Sequence, residues 1–111
     1  MVKKILAGLL FVPVMASAEF TSGNDLYKDL RSESTVDKVY ALGYIAGVAD
    51  AGQGGSHCIP TSVSLGQLQD MTLNYLRNNA EIRNLSADVL IGIMLLERWP
   101  CKNKSKGGKG A

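Results

Sequence analysis

The residues able to do chemistry are few: one histidine, His57, directly before the first of two cysteines, Cys58 and Cys101, and the carboxylates Asp50 and Glu97 near the ends of apolar segments. A lone histidine cannot supply the ligand spacing of a zinc site. A cysteine nucleophile needs a base that reaches it through the fold, and a histidine adjacent in sequence is badly placed to do so. A close pair of carboxylates would suit glycoside hydrolysis. Asp50, however, is better read as bonding backbone amides of the glycine turn that follows it, and Glu97 as facing solvent or pairing with Arg83 or Arg98. The run Gly52-Gln53-Gly54-Gly55 lacks the preceding strand and the following Gly-Lys-Ser/Thr of a phosphate loop. This inventory predicts no catalytic residue, no metal and no cofactor.

The cysteines are then structural, and the start of the chain says why. Met1-Val2-Lys3-Lys4 is basic, Ile5 to Met15 is almost wholly apolar, and Ala16-Ser17-Ala18 is the small-x-small pattern of a signal-peptidase site. Residues 1–18 are therefore expected to be a cleaved signal peptide, with Glu19 the first mature residue. About eleven apolar residues fall short of the roughly twenty that span a bilayer, so no stable membrane insertion is expected. An exported chain meets an oxidising compartment, where Cys58 and Cys101 are expected to form a disulfide. Closing a loop of that length stabilises the fold by about 4 kcal/mol on the chain-entropy model. For a single domain of under a hundred residues that is a large contribution.

Charge separates the folded part from its tail. Between Glu19 and Cys101 ten acids face six bases, whereas the last ten residues add Lys102, Lys104, Lys106 and Lys109. A mildly acidic body argues against a nucleic-acid-binding face. Residues 102–111, rich in Lys and Gly with no large apolar anchor, are expected to be a disordered basic tail.

Between leader and tail the apolar residues recur at three and four positions, which predicts an all-α fold over 19–101, a small bundle of about four helices with one disulfide. A short first helix spans Asn24 to Leu30, with Asn24 as its cap, and is expected to lie as a lid on the rest. A second runs from the Ser34/Asp37 capping pair to about Ala51 and is apolar on nearly every side, as befits the centre of a bundle. Gly43 and Gly47 lie one turn apart within it, each costing roughly 1 kcal/mol relative to alanine, so close approach of a neighbouring helix is expected there. The third starts at Ser64, with Gln67 completing a capping box, and stops at Asn78-Asn79. The fourth starts at Ser86 and ends at Pro100. As an antiparallel hairpin, the last two helices bring Cys58 and Cys101 to one end. Tyr27, Tyr40, Tyr44, Tyr75 and Trp99 are read as core aromatics with polar edges at the surface, Trp99 being the most exposed.

An ordered series of motifs resembles a known family. Gly43-Tyr44-Ile45-Ala46-Gly47-Val48-Ala49-Asp50, then Cys58-Ile59-Pro60 with Val63, Gln67, Tyr75 and Leu76, then Trp99-Pro100-Cys101, is similar to the Rap/Tai type of immunity protein, over about Leu26 to Cys101. The resemblance implies a small exported helical protein, periplasmic, that binds and blocks a peptidoglycan-cleaving amidase of type VI secretion. Its partner would be the cognate amidase toxin, with the chain acting as a monomer or a homodimer. Members of this type commonly carry a further cysteine pair near the first helices, which this sequence does not have. A small periplasmic helical chaperone or envelope-stress binding protein is the alternative from another class.

One segment suits partner binding. The glycine-rich stretch from Gly52 to His57 is held by the long helix on one side and Cys58 on the other, so inserting it into a cleft has a small ordering cost. Gln53, Gly54, Gly55, Ser56 and His57 are the expected contact residues, with Gln53, Ser56 and His57 as hydrogen-bonding tips.

Overall fold

Four serines, Ser22, Ser34, Ser64 and Ser86, stand immediately before the four helices. A serine hydroxyl satisfies backbone N–H groups that a first turn leaves without partners. In the computed structural model, which describes residues 20–102, the helices are α1 (Gly23–Arg31), α2 (Thr35–Gly52), α3 (Leu65–Asn78) and α4 (Ala87–Arg98), with a 3₁₀ turn at Ala80–Ile82 before α4. The fold is all-α, as expected. The leader, and the tail beyond Lys102, lie outside the described residues.

Local chemistry sets each boundary. Ser22 and Asp25 form a reciprocal capping box that starts α1 one residue earlier than expected, and Asn24 lies inside the helix. Ser64 and Gln67 do the same for α3. At α2 only half a box forms: Ser34 Oγ accepts from the Asp37 amide, while the Asp37 carboxylate accepts instead from Ser32 Oγ at 2.8 Å. Ser86 spends its hydroxyl on the Asp88 carboxylate two residues on.

The core takes one stripe from every helix: Leu26 and Leu30 of α1, Ala41, Ile45 and Ala49 of α2, Leu68 and Leu76 of α3, and Leu90, Ile91, Met94 and Leu95 of α4. Fully burying a leucine or isoleucine contributes about 1.5–3 kcal/mol, so α1, with two buried leucines and contacts to all three other helices, is a wall of the core and not a lid. Its start is also fixed from outside. The amides of Gly23 and Asn24 donate to the carbonyls of Leu85 and Arg83, and the Ala87 amide donates back to Thr21. A Cβ on Gly23 would stand 2.5 Å from Leu90 Cδ1 and 2.8 Å from the Arg83 carbonyl, so this crossing requires glycine. Tyr27 adds a second clasp, its ring lying 4.7 Å from the Arg31 guanidinium and 4.0 Å from that of Arg83.

The disulfide joins Cys58 to Cys101 with Cα atoms 5.0 Å apart, at the end where α3 begins and α4 finishes. The Cys58 amide donates to the Trp99 carbonyl beside it. Trp99 is half-buried against the core, under the Arg98 guanidinium.

The expectation for Gly43 and Gly47 does not hold. Both are exposed, and a Cβ built on either meets nothing within 4 Å. Among the described residues no neighbouring helix approaches that face, because α2 packs on the other three helices through the buried Ala41–Ile45–Ala49 stripe flanked by Tyr44 and Val48. Val36 and Val39, 75% and 60% exposed, share the open side with Tyr40. A helix apolar all round is thus buried on one side only.

Candidate partner interface

The loop after α2 is a braced turn. Gly54, at φ 86°, takes the left-handed conformation that favours glycine, and lets its amide donate to the His57 carbonyl at 2.7 Å. The amides of Gly55 and His57 both donate to the Gly52 carbonyl. Gln53 ties the turn to the next segment through its whole amide: Nε2 donates to the Ile59 carbonyl and Oε1 accepts from the Ile59 amide, each at 3.0 Å. Its side chain, exposed at the surface, therefore acts as a brace, with both ends of its amide engaged within the loop.

His57 is not a tip. Its ring is 1% exposed, with Nε2 2.8 Å from the Ala49 carbonyl of α2. The ring lies against Gly52, where a Cβ would come 2.5 Å from Cε1 and 2.7 Å from Ser56 Oγ, so glycine ends α2 because the histidine occupies the space. Gly54, Gly55 and Ser56 remain as the exposed tip. Nothing in the periodicity of the sequence marks His57 for burial, since a single polar residue in a glycine turn has no apolar pattern around it. Asp50 departs from expectation too: the turn bonds its backbone carbonyl through the Gln53 amide, and its carboxylate is exposed.

Sequence reasoning also missed a groove between α2 and α4. One end is a cleft of about 580 Å³ lined by Phe20, Thr21, Asp25, Tyr40, Tyr44 and Asp88. The Tyr40 and Tyr44 rings are tilted against each other at 6.2 Å, and the Tyr40 hydroxyl is held 2.8 Å from Thr21 Oγ1. Burial foremost, with the Asp88 carboxylate adding to it, holds the Tyr44 phenol above its ordinary range, although a hydrogen bond from the Asp88 backbone opposes the shift. The other end, about 340 Å³, is lined by Val48, Ala51 and Gly52 of α2, Ser56 and His57 of the loop, and Asp88 and Gly92 of α4. Asp88 borders both ends, and Tyr40, Tyr44, Val48 and Ala51 follow one another at helical spacing along one wall. Val89 and Ile93, each next in sequence to a groove residue of α4, are exposed. The signal for this surface was the apolar circumference of α2: an amphipathic helix needs one apolar stripe, and this one has more than the bundle uses.

Gly43, Tyr44, Gly47 and Asp50 of the first motif therefore fall on or beside one surface of α2, whereas Pro60, Trp99 and Pro100 gather with Cys58 and Cys101 at the disulfide end. Among the described residues no three His, Cys, Asp or Glu side chains are grouped to hold a metal ion. No helix among them is long and apolar enough to cross a membrane. No curated protein matches the sequence. The model of a family described as Rap1a immunity proteins matches residues 22–101, from the cap of α1 to the second cysteine. The match spans every helix and both half-cystines, and the chain belongs to the Rap1a immunity protein family.

Proposed function

We propose that this immunity protein acts in the periplasm, where it binds a peptidoglycan amidase toxin of a type VI secretion system and blocks its substrate groove. The observation that carries the reading is the family match across the whole helical domain. Two features support an inhibitor that works by occupying a surface. The Gly52–His57 turn is braced by Gln53, His57 and the adjoining disulfide, so its Gly54–Ser56 tip enters a cleft with little further ordering. In addition, α2 and α4 expose Val36, Val39, Tyr40, Val89, Ile93 and Leu96, apolar side chains that suit contact with a protein partner. The leader-like residues 1–18 and the Cys58–Cys101 disulfide both suit an oxidising compartment.

The test is protection. Cells exporting a candidate amidase to the periplasm lyse, and co-export of this chain should restore growth, while the same chain without residues 1–18 should not. Purified protein should inhibit release of peptide fragments from peptidoglycan at one-to-one stoichiometry. Substitution Ser56→Trp, at an exposed position, should leave the fold intact and weaken inhibition if the tip enters the groove. Failure to protect against any amidase of this class would overturn the reading, and undiminished inhibition by the Ser56 variant would remove the loop tip from it.

A further inference from the structure

The α2/α4 groove has a consistent chemistry. Its walls are aromatic and aliphatic, and its acidic side chains are the carboxylates of Asp25 and Asp88. Asp25 gives one carboxylate oxygen to the Ser22 amide and Asp88 gives one to the Ser86 hydroxyl, which leaves the second oxygen of each without a hydrogen-bond partner among the described residues. At the far end, His57 Nδ1 is buried with no hydrogen-bond partner among the described residues. Its other ring nitrogen, Nε2, donates to the Ala49 carbonyl. The Tyr40 hydroxyl is engaged with Thr21, and the Tyr40 and Tyr44 rings line the cleft beside the two carboxylates. Among the described residues no lysine or arginine lines either end.

We infer that this groove receives a segment of a protein partner carrying a lysine or arginine among apolar side chains, with the cation held between the Asp25 and Asp88 carboxylates against the Tyr40 and Tyr44 rings. The inference deepens the immunity reading by naming the chemistry of the toxin surface. Charge complementarity argues for it directly: the body of the domain carries ten acids against six bases, and two of those acids meet in an aromatic cleft where a cation gains both from the carboxylates and from the ring faces. The groove floor admits a chain closely because Gly92 carries no side chain, and a Cβ there would meet nothing within 4 Å. Apolar neighbours of the cation would then lie on the exposed Val89 and Ile93 side chains.

The experiment is a nitrogen-15 NMR titration of the purified, disulfide-bonded protein with a capped Leu-Lys-Ala-Leu-Arg-Leu peptide, against the same peptide with glutamate in place of lysine and arginine. The basic peptide should move the amides of Tyr44, Val48, Asp88 and Gly92, and should bind about tenfold more tightly than the acidic one, an advantage that shrinks as salt is raised. The double substitution Asp25→Asn and Asp88→Asn keeps side chains able to cap helices and should remove most of that advantage. Gly92→Phe, which removes neither carboxylate, should block the groove and abolish the shifts, with thermal melts showing that both variants remain folded. Equal affinity for the two peptides, shifts centred elsewhere, or no shift at millimolar peptide would each overturn the inference. Peptide binding in the groove by a protein that protects against no amidase upholds the groove and sinks the toxin reading. Protection without groove binding does the reverse.

Discussion

Replacing Gly43 and Gly47 by alanine should stabilise the protein, and the size of the effect follows from the geometry. Both positions lie inside an 18-residue helix at ordinary backbone angles, since among the described glycines only Gly54 has positive φ. Glycine in a helix interior is about 1 kcal/mol less favourable than alanine, because it loses more backbone freedom on folding. That gain is normally cancelled where the new methyl group collides with a neighbour; here a Cβ at either site meets nothing within 4 Å. The two sites share no packing partner, so their effects should add to about 1–2 kcal/mol. For a domain of this size such a gain raises the melting temperature by about 5–15 °C. The assay is a thermal melt of the single and double variants at two protein concentrations. A fall in melting temperature would refute the reasoning, since it would mean that something covers this face in the free protein. A fall confined to the higher concentration would identify that cover as a second copy of the chain. Gly52→Ala provides the opposite sign within one helix: its methyl group would overlap the buried His57 ring and Ser56, and should cost about 1–3 kcal/mol.

Four further outcomes follow. His57→Ala removes a buried ring and its bond to Ala49, and should cost about 2–4 kcal/mol in chemical denaturation, where a change under half that would show the ring to be dispensable. Replacing both Cys58 and Cys101 by alanine should lose up to about 4 kcal/mol, read as a lower denaturation midpoint that reductant no longer shifts. Gln53→Ala should speed hydrogen exchange at the Ile59 amide while leaving the core amides slow, and uniform acceleration would contradict its role as a local brace. Tyr44 holds its proton more tightly when folded than when unfolded, chiefly through burial, so between the two values the folded state binds more protons and stability falls as pH rises above 10. Tyr44→Phe should make that alkaline decline shallower, with Tyr75, shifted in the same direction, accounting for part of what remains.

The helices and the disulfide were legible because their determinants are local. Ser34 and Ser64 announce starts through spacing to a residue three positions on, Ser86 by standing before an apolar run, Pro100 announces a stop, and two cysteines at the outer ends of a helical hairpin admit one pairing. Ser22 was passed over because Asn24, two residues later, offers the same capping chemistry, and only the crossing of Gly23 beneath Arg83 and Leu90 decides between them. The surface was harder to read for a related reason. Gly43 and Gly47 look the same in sequence whether they admit a neighbouring helix or face solvent, and burial on α2 is settled by which stripe the other three helices choose. The groove joins Asp25, Tyr44 and Asp88, residues far apart in the chain, and no spacing rule connects them.

The hydrogen bonds that anchor Gly23 and Asn24 to Leu85 and Arg83, together with the bond from Ala87 to Thr21, have a consequence for the order in which the chain takes shape. The first helix is completed by residues some sixty positions downstream, and the last residue of the domain closes on Cys58. A chain delivered from its N-terminus therefore holds no early portion with a finished core: α1 waits for the turn before α4, and α4 waits for its own end to be joined. Long-range closures of this kind are slow relative to helix formation, because the loop entropy is lost before the contacts that offset it are made. Folding should then be a single late event that begins once nearly the whole domain has emerged, and a chain truncated before Ser86 should remain susceptible to proteases and never acquire slow-exchanging amides in α1.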